Sequence, residues 1–124
     1  MKNEDIKGID VKKGLSIVAG NKAVYTRLLK SFVNNAFCDQ LLEAVNGGDP
    51  EQIRQTAHSL KGVAANMHMD VLFELSREIE AEAKSGVIVA PMSENVLRIS
   101  EANAQTLESV NMLLADPGIL NNIE

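Results

Sequence analysis

Apolar residues along this chain recur mostly at helical spacing. Val11, Leu15 and Val18 line one side of a short helix predicted over residues 11–18, with Asp10 as its N-cap. Gly20 ends it, and Asn21 caps the next. Residues 22–46 read as one long helix. Val24, Leu28, Phe32, Ala36, Leu42 and Val45 form its stripe. Tyr25, Leu29 and Val33 widen it, as in a helix covered by more than one neighbour. Gly47-Gly48-Asp49-Pro50 then breaks the chain, with Asp49 as a cap and Pro50 at the first helical position. A third helix runs to about residue 67. Its seam, Ile53, Ala57, Leu60, Ala64 and Met67, alternates steps of four and three. A fourth starts near Asp70 and carries Leu72, Leu75, Ile79 and Ala83 to about Lys84. Ser85-Gly86 ends it, and residues 87–91 connect onward. Ser93 caps a last helix lined by Val96, Ile99, Asn103, Leu107, Val110 and Leu114, and Asp116-Pro117-Gly118 stops it.

Four long amphipathic helices with short links predict an all-α fold, an antiparallel four-helix bundle. The short extra N-terminal helix packs across it. No repeat or low-complexity tract divides the chain, so residues 1–124 are expected to form one domain. Composition supports helices over sheet. Aromatic residues make up 3% and Trp is absent, so the core must come from Leu, Ile, Val, Ala and Met.

Charge narrows the partners. A net charge of −5 argues against nucleic acid, whose binders are usually basic. Cys38 is the only cysteine, which rules out an intrachain disulfide and fits a reducing cytosol. The N-terminus, Met1 to Asp5, is polar and lacks the apolar stretch of a signal peptide. No apolar run approaches the roughly 18 residues of a membrane span. The expectation is a cytoplasmic protein with no direct membrane insertion.

The candidate chemistry lies on the third helix, in Ala57-His58-Ser59-Leu60-Lys61-Gly62. A helix turns about 100° per residue. His58 therefore falls about 160° from Leu60, with Gln55, Gly62 and Ala65 near it. Lys61 stands at the border, where its long stem can swing toward His58. A glycine in a helix interior costs roughly 0.8–1 kcal/mol relative to alanine. Here it leaves a flat place beside a histidine. A neutral imidazole is a nucleophile near pH 7. It can take a phosphoryl group and pass it to a carboxylate, a reaction that needs mostly positioning and charge stabilisation. A lone surface histidine is more often only solvated. The lysine three residues later and the glycine four later favour the functional reading.

This stretch resembles the histidine-containing phosphotransfer (HPt) domains of multistep phosphorelays, whose signature is His-x-Leu-Lys-Gly followed by small residues. Here it reads from His58 through Gly62 to Val63-Ala64-Ala65-Asn66. The likeness extends to the opening segment, Ile9-Asp10-Val11 with Gly14-Leu15 and Gly20-Asn21. It extends also to Tyr25, Leu28-Leu29 and Phe32, to Gly48-Asp49, and to Leu72 through Ile79-Glu80. It covers most of residues 9–86, and the last helix matches only as generic amphipathic sequence.

The resemblance implies that His58 is the phosphoacceptor, through Nε2. Lys61 would stabilise the phosphohistidine and Gly62 would give steric access. Gln55, Ala65 and Glu80 are assigned to the partner-docking surface. Glu80 falls where relatives place a Gln or Glu near the histidine, and it would orient the imidazole through the other ring nitrogen. The plain reading of Glu80 is a solvated helix-face carboxylate. Many relatives have glycine ten residues after the histidine, where this chain has His68. If that position needs a positive φ, His68 is strained there.

The partners implied are response-regulator receiver domains and a hybrid sensor histidine kinase. The domain itself would be a monomer. No cofactor is expected in this chain, because Mg²⁺ would sit on the partner receiver. No metal site is expected either: His58 and His68 are ten residues apart, and Cys38 has no companion. There is no glycine-rich phosphate loop, Asp-Phe-Gly or His-Arg-Asp, so the domain is expected to be a carrier with no ATP site of its own. Two alternatives stay open. One is a receiver-binding adaptor that carries no phosphate. The other is the HPt module of a hybrid sensor kinase.

Overall fold

The computed structural model describes residues 1–124. Its helices are α1 (Val11–Ile17), α2 (Lys22–Asn35), α3 (Phe37–Gly47), α4 (Pro50–Asn66), α5 (Asp70–Lys84) and α6 (Glu94–Ala115), with short 3₁₀ turns at Asn3–Asp5 and Pro117–Asn121. Three predicted caps close as expected. Asp10 accepts from Lys13 N–H, Asn21 from Val24 N–H, and Asp49 from Glu51 N–H, with Pro50 beginning α4.

The antiparallel bundle is formed by the α2–α3 arm, α4, α5 and α6. The α4–α5 pair is the most extensive, α3 packs on α4, and α6 packs on α5 and on both halves of the α2–α3 arm. One apolar core of 25 residues runs through it. The seam predicted for α4 is buried throughout, from Ile53 through Ala57, Leu60 and Ala64 to Met67. Leu60 is fully enclosed, and cutting such a side chain to alanine costs about 2–5 kcal/mol. No helix is long and apolar enough to cross a membrane.

The helix expected over residues 22–46 is two helices. Ala36 adopts a left-handed conformation, φ 49°, between α2 and α3. The cause is a slip in hydrophobic phase. Tyr25, Leu29 and Phe32 are buried on α2, whereas Cys38, Leu41 and Val45 are buried on α3. In an unbroken helix Asp39 and Glu43 would fall within about 20° of Phe32 and enter the core. The break turns them out, and the Phe32 and Phe37 rings stack across it with centroids 6.4 Å apart. Leu28, expected in the stripe, is 40% exposed.

Smaller corrections concern the termini of α5 and α6. Asp70 is the first residue of α5, and Met69 takes the cap position without a side-chain bond. Ser93 occupies the N-cap of α6, but its hydroxyl is buried without a partner. On α6, Leu107 and Leu114 are only half-buried, while Thr106 and Ser109 are enclosed. Ser109 Oγ donates to the carbonyl of Lys7 at 2.6 Å, and Thr106 Oγ1 donates to the carbonyl of Ala102 at 2.9 Å. The polar positions of α6 thus receive the N-terminal segment, which lies across the bundle.

Candidate functional site

The site is built where α4 and α5 face each other. His58 leaves the seam on the outer side of α4, and its side chain is 63% exposed. Across from it, Glu80 follows the fully buried Ile79 on α5 and is itself 3% exposed. His58 Nδ1 meets Glu80 Oε2 at 2.6 Å. Lys61, one turn beyond His58, donates from Nζ to Glu80 Oε1 at 2.5 Å. Lys84 Nζ lies 3.9 Å from Oε2. One buried carboxylate therefore gathers a histidine and two lysines from two helices.

The ionisation of Glu80 follows from this company. Burial alone would raise its carboxyl. The hydrogen bonds from Lys61 and His58, with the charges of Lys61 and Lys84, outweigh burial and hold it below the usual value. An ionised carboxylate only accepts hydrogen bonds. Nδ1 of a neutral His58 therefore carries the ring proton and donates it to Glu80. Nε2 keeps its lone pair and has no partner within the chain, in a side chain that is mostly exposed.

Gly62 follows His58 by about one helical turn on the outer face of α4, and a Cβ added to it would meet nothing within 4 Å. Gln55 and Ala65 are exposed on the same helix. Gln55 is turned toward the N-terminal turn, where its Nε2 donates to Glu51 Oε1 at 3.2 Å. Hydrogen bonds from Arg54 and then Gln55 bring the Glu51 carboxyl down to about 2.

The expected site residues thus divide. His58, Gly62, Gln55 and Ala65 stand on the outer face as predicted. Glu80 does not belong to a docking surface, because it is buried; it is a support beneath His58 and Lys61. Lys61 stands at the border as expected, but its stem reaches Glu80 rather than His58. Lys84 was missed, though a Lys four residues after a Glu on one helix face is a readable pairing. His68 stands apart: it lies in the α4–α5 turn, about 15 Å along the helix axis from His58. Its φ is 54°, the strained conformation anticipated for it. Cys38 is enclosed beneath α6, and burial, with the nearby Asp39 charge, pushes its thiol up to about 12.

Comparison with known proteins follows the geometry. The sequence model of the Hpt domain matches residues 33–109. That span takes in α6 as far as Ser109 and leaves the opening segment and α2 up to Phe32 outside. The resemblance carried by the sequence motifs covers most of residues 9–86, so the two spans overlap over residues 33–86 and differ at the ends. Among solved structures, the HPT domain of the Hpt sensor hybrid histidine kinase from Shewanella is similar, with a TM-score of 0.77 at 16% identity. The match covers 87% of this chain and 94% of that one, and at this identity it shows the shared fold. None of the curated proteins matches this chain in sequence. With the family model covering most of the bundle, this chain belongs to the Hpt domain family, the histidine phosphotransfer carriers of phosphorelays.

Proposed function

We propose that His58 is the phosphoacceptor and that Nε2 is the reacting atom. The observation that carries this is the Glu80–His58 bond: Nδ1 is occupied by a buried carboxylate, so Nε2 presents the lone pair. In the transfer, the Nε2 lone pair forms a bond to phosphorus. The bond between phosphorus and the partner's aspartyl oxygen breaks, and its electrons return to the aspartate carboxylate. The reverse step hands the group to another receiver aspartate. Glu80 stabilises the positive charge that develops on the ring as nitrogen bonds phosphorus. Lys61 neutralises the phosphoryl oxygens as a point charge on a flexible stem. Gly62 leaves room for the partner's loops.

In this reading Mg²⁺ belongs to the receiver domain, and the chain has no ATP site of its own. A hybrid sensor kinase supplies phosphate through its receiver. The domain works as a cytoplasmic monomer, through a modest, transient contact of the kind that buries less than about 1,200 Å².

The test is labelling from a receiver domain carrying radioactive phospho-aspartate with Mg²⁺, beside His58→Gln. Acid-labile, alkali-stable label on the wild type and none on the variant is the expected result. Label retained by His58→Gln would move the acceptor elsewhere. Binding of the same receivers without any label would make the domain a docking adaptor.

A further inference from the structure

Glu80 is served by more cations than its two oxygens need. Oε1 has Lys61 alone. Oε2 is bonded to His58 Nδ1 and has Lys84 waiting at 3.9 Å. Lys61 is the more enclosed of the two lysines, with its side chain 25% exposed against 56% for Lys84.

This arrangement meets a difficulty once His58 carries a phosphoryl group. The group brings roughly two negative charges, and Lys61, three residues away on α4, is the cation placed to meet it. If Lys61 leaves, Glu80 Oε1 loses its sole partner. A buried carboxylate stripped of its counter-charge is strongly unfavourable. Lys61 can therefore move outward only if another cation takes its place. Arg54 also contributes to this neighbourhood, but its guanidinium is held by both oxygens of Glu51. Arg77, on α5, is paired with Glu74. Lys84 has no ion pair other than Glu80, stands one helical turn beyond it, and has a mobile stem.

We propose that Lys84 is the exchange partner of Lys61: it closes on Glu80 as Lys61 turns to the phosphoryl group. The proposal rests on His58 being the phosphoacceptor. It makes Lys84 a positioning residue that acts through Glu80 and has no contact with phosphate.

The experiment follows the phosphohistidine after the receiver is removed. Wild type, Lys84→Gln, Lys84→Arg, Glu80→Gln and the double variant Glu80→Gln/Lys84→Gln are labelled by a phosphorylated receiver. Loss of label from the isolated domain is then timed. Lys84→Gln is expected to shorten the lifetime by about fivefold, the upper end for a partly exposed pair, and Lys84→Arg to restore it. In the Glu80→Gln background, Lys84→Gln should change the lifetime no further, because no carboxylate then needs the cation. An unchanged lifetime in singly substituted Lys84→Gln overturns the proposal. So does an added loss in the double variant, which would mean that Lys84 touches the phosphoryl group itself. A wild type that takes no label at all defeats the phosphoacceptor reading instead, before the lysines are tested.

Discussion

Gly14 and Gly62 are both helical glycines, and their surroundings are opposite. A Cβ on Gly14 would lie 2.7 Å from Tyr25 Cε1 and 3.0 Å from its hydroxyl oxygen, inside the packed joint between α1 and α2. A Cβ on Gly62 would meet nothing. The first glycine is required by the fold. The second weakens its helix and gives no packing advantage within the chain. On the proposed reading the open space beside His58 serves the partner, and the two positions are then expected to separate stability from transfer.

Substitutions should break this pairing in contrary directions. The largest effect is expected from Gly62→Gln. It should slow phosphotransfer on the order of a hundredfold, the scale of a misplacement of about 1 Å, with the melting temperature no lower than that of wild type. Transfer at the normal rate would remove the argument for close approach. Gly14→Ala should do the reverse. Overpacking against buried Tyr25 should lower stability by about 2 kcal/mol in urea unfolding, with transfer unaffected in the folded protein. Gly62→Ala sharpens the contrast most directly. It should raise stability by about 0.8–1 kcal/mol, while transfer slows by less than with Gln. His68→Gly, at φ 54°, should give the smallest change. Relief of left-handed strain, about 1–2 kcal/mol, is partly offset by the greater freedom of glycine in the unfolded chain.

Glu80 adds a pH test. Its folded carboxyl sits below the ordinary value of 4.5, so the unfolded chain binds its proton first as pH falls. The stabilisation it gives is fully present above that value and is lost as pH drops through the folded one. Urea melts between pH 3 and pH 7 should show a shallower acid decline for Glu80→Gln than for wild type. Equal slopes would mean that the ion pairs of Glu80 do not contribute to folding.

Much of this was readable from the residues. The seam of α4 and the outward stripe of Gln55, His58, Gly62 and Ala65 both follow from one rotation of about 100° per residue. The caps Asp10, Asn21 and Asp49 were equally plain, because each has a short acceptor side chain before an apolar period. The break at Ala36 carried no glycine or proline. Its only mark was that Phe32 and Cys38 are six residues apart, out of step with a continuous helix. Glu80 came beside His58 only through the family resemblance, against a plain reading as a solvated carboxylate, and its burial was not legible at all. Burial of a carboxylate depends on counter-charges from another helix, and Lys61 reaches it across 19 positions of sequence.

The turn between α4 and α5 consists of Met67, His68 and Met69, with both methionines buried and the His68 carbonyl accepting from Asp10 N–H at 2.9 Å. It works as an index pin. One residue added there would have to displace a buried methionine or the Asp10 contact, and the resulting shift of α5 against α4 would move Glu80 relative to His58 although no residue near the imidazole had changed. The site's alignment is thus stored in the length of a remote three-residue turn, which the N-terminal segment holds shut.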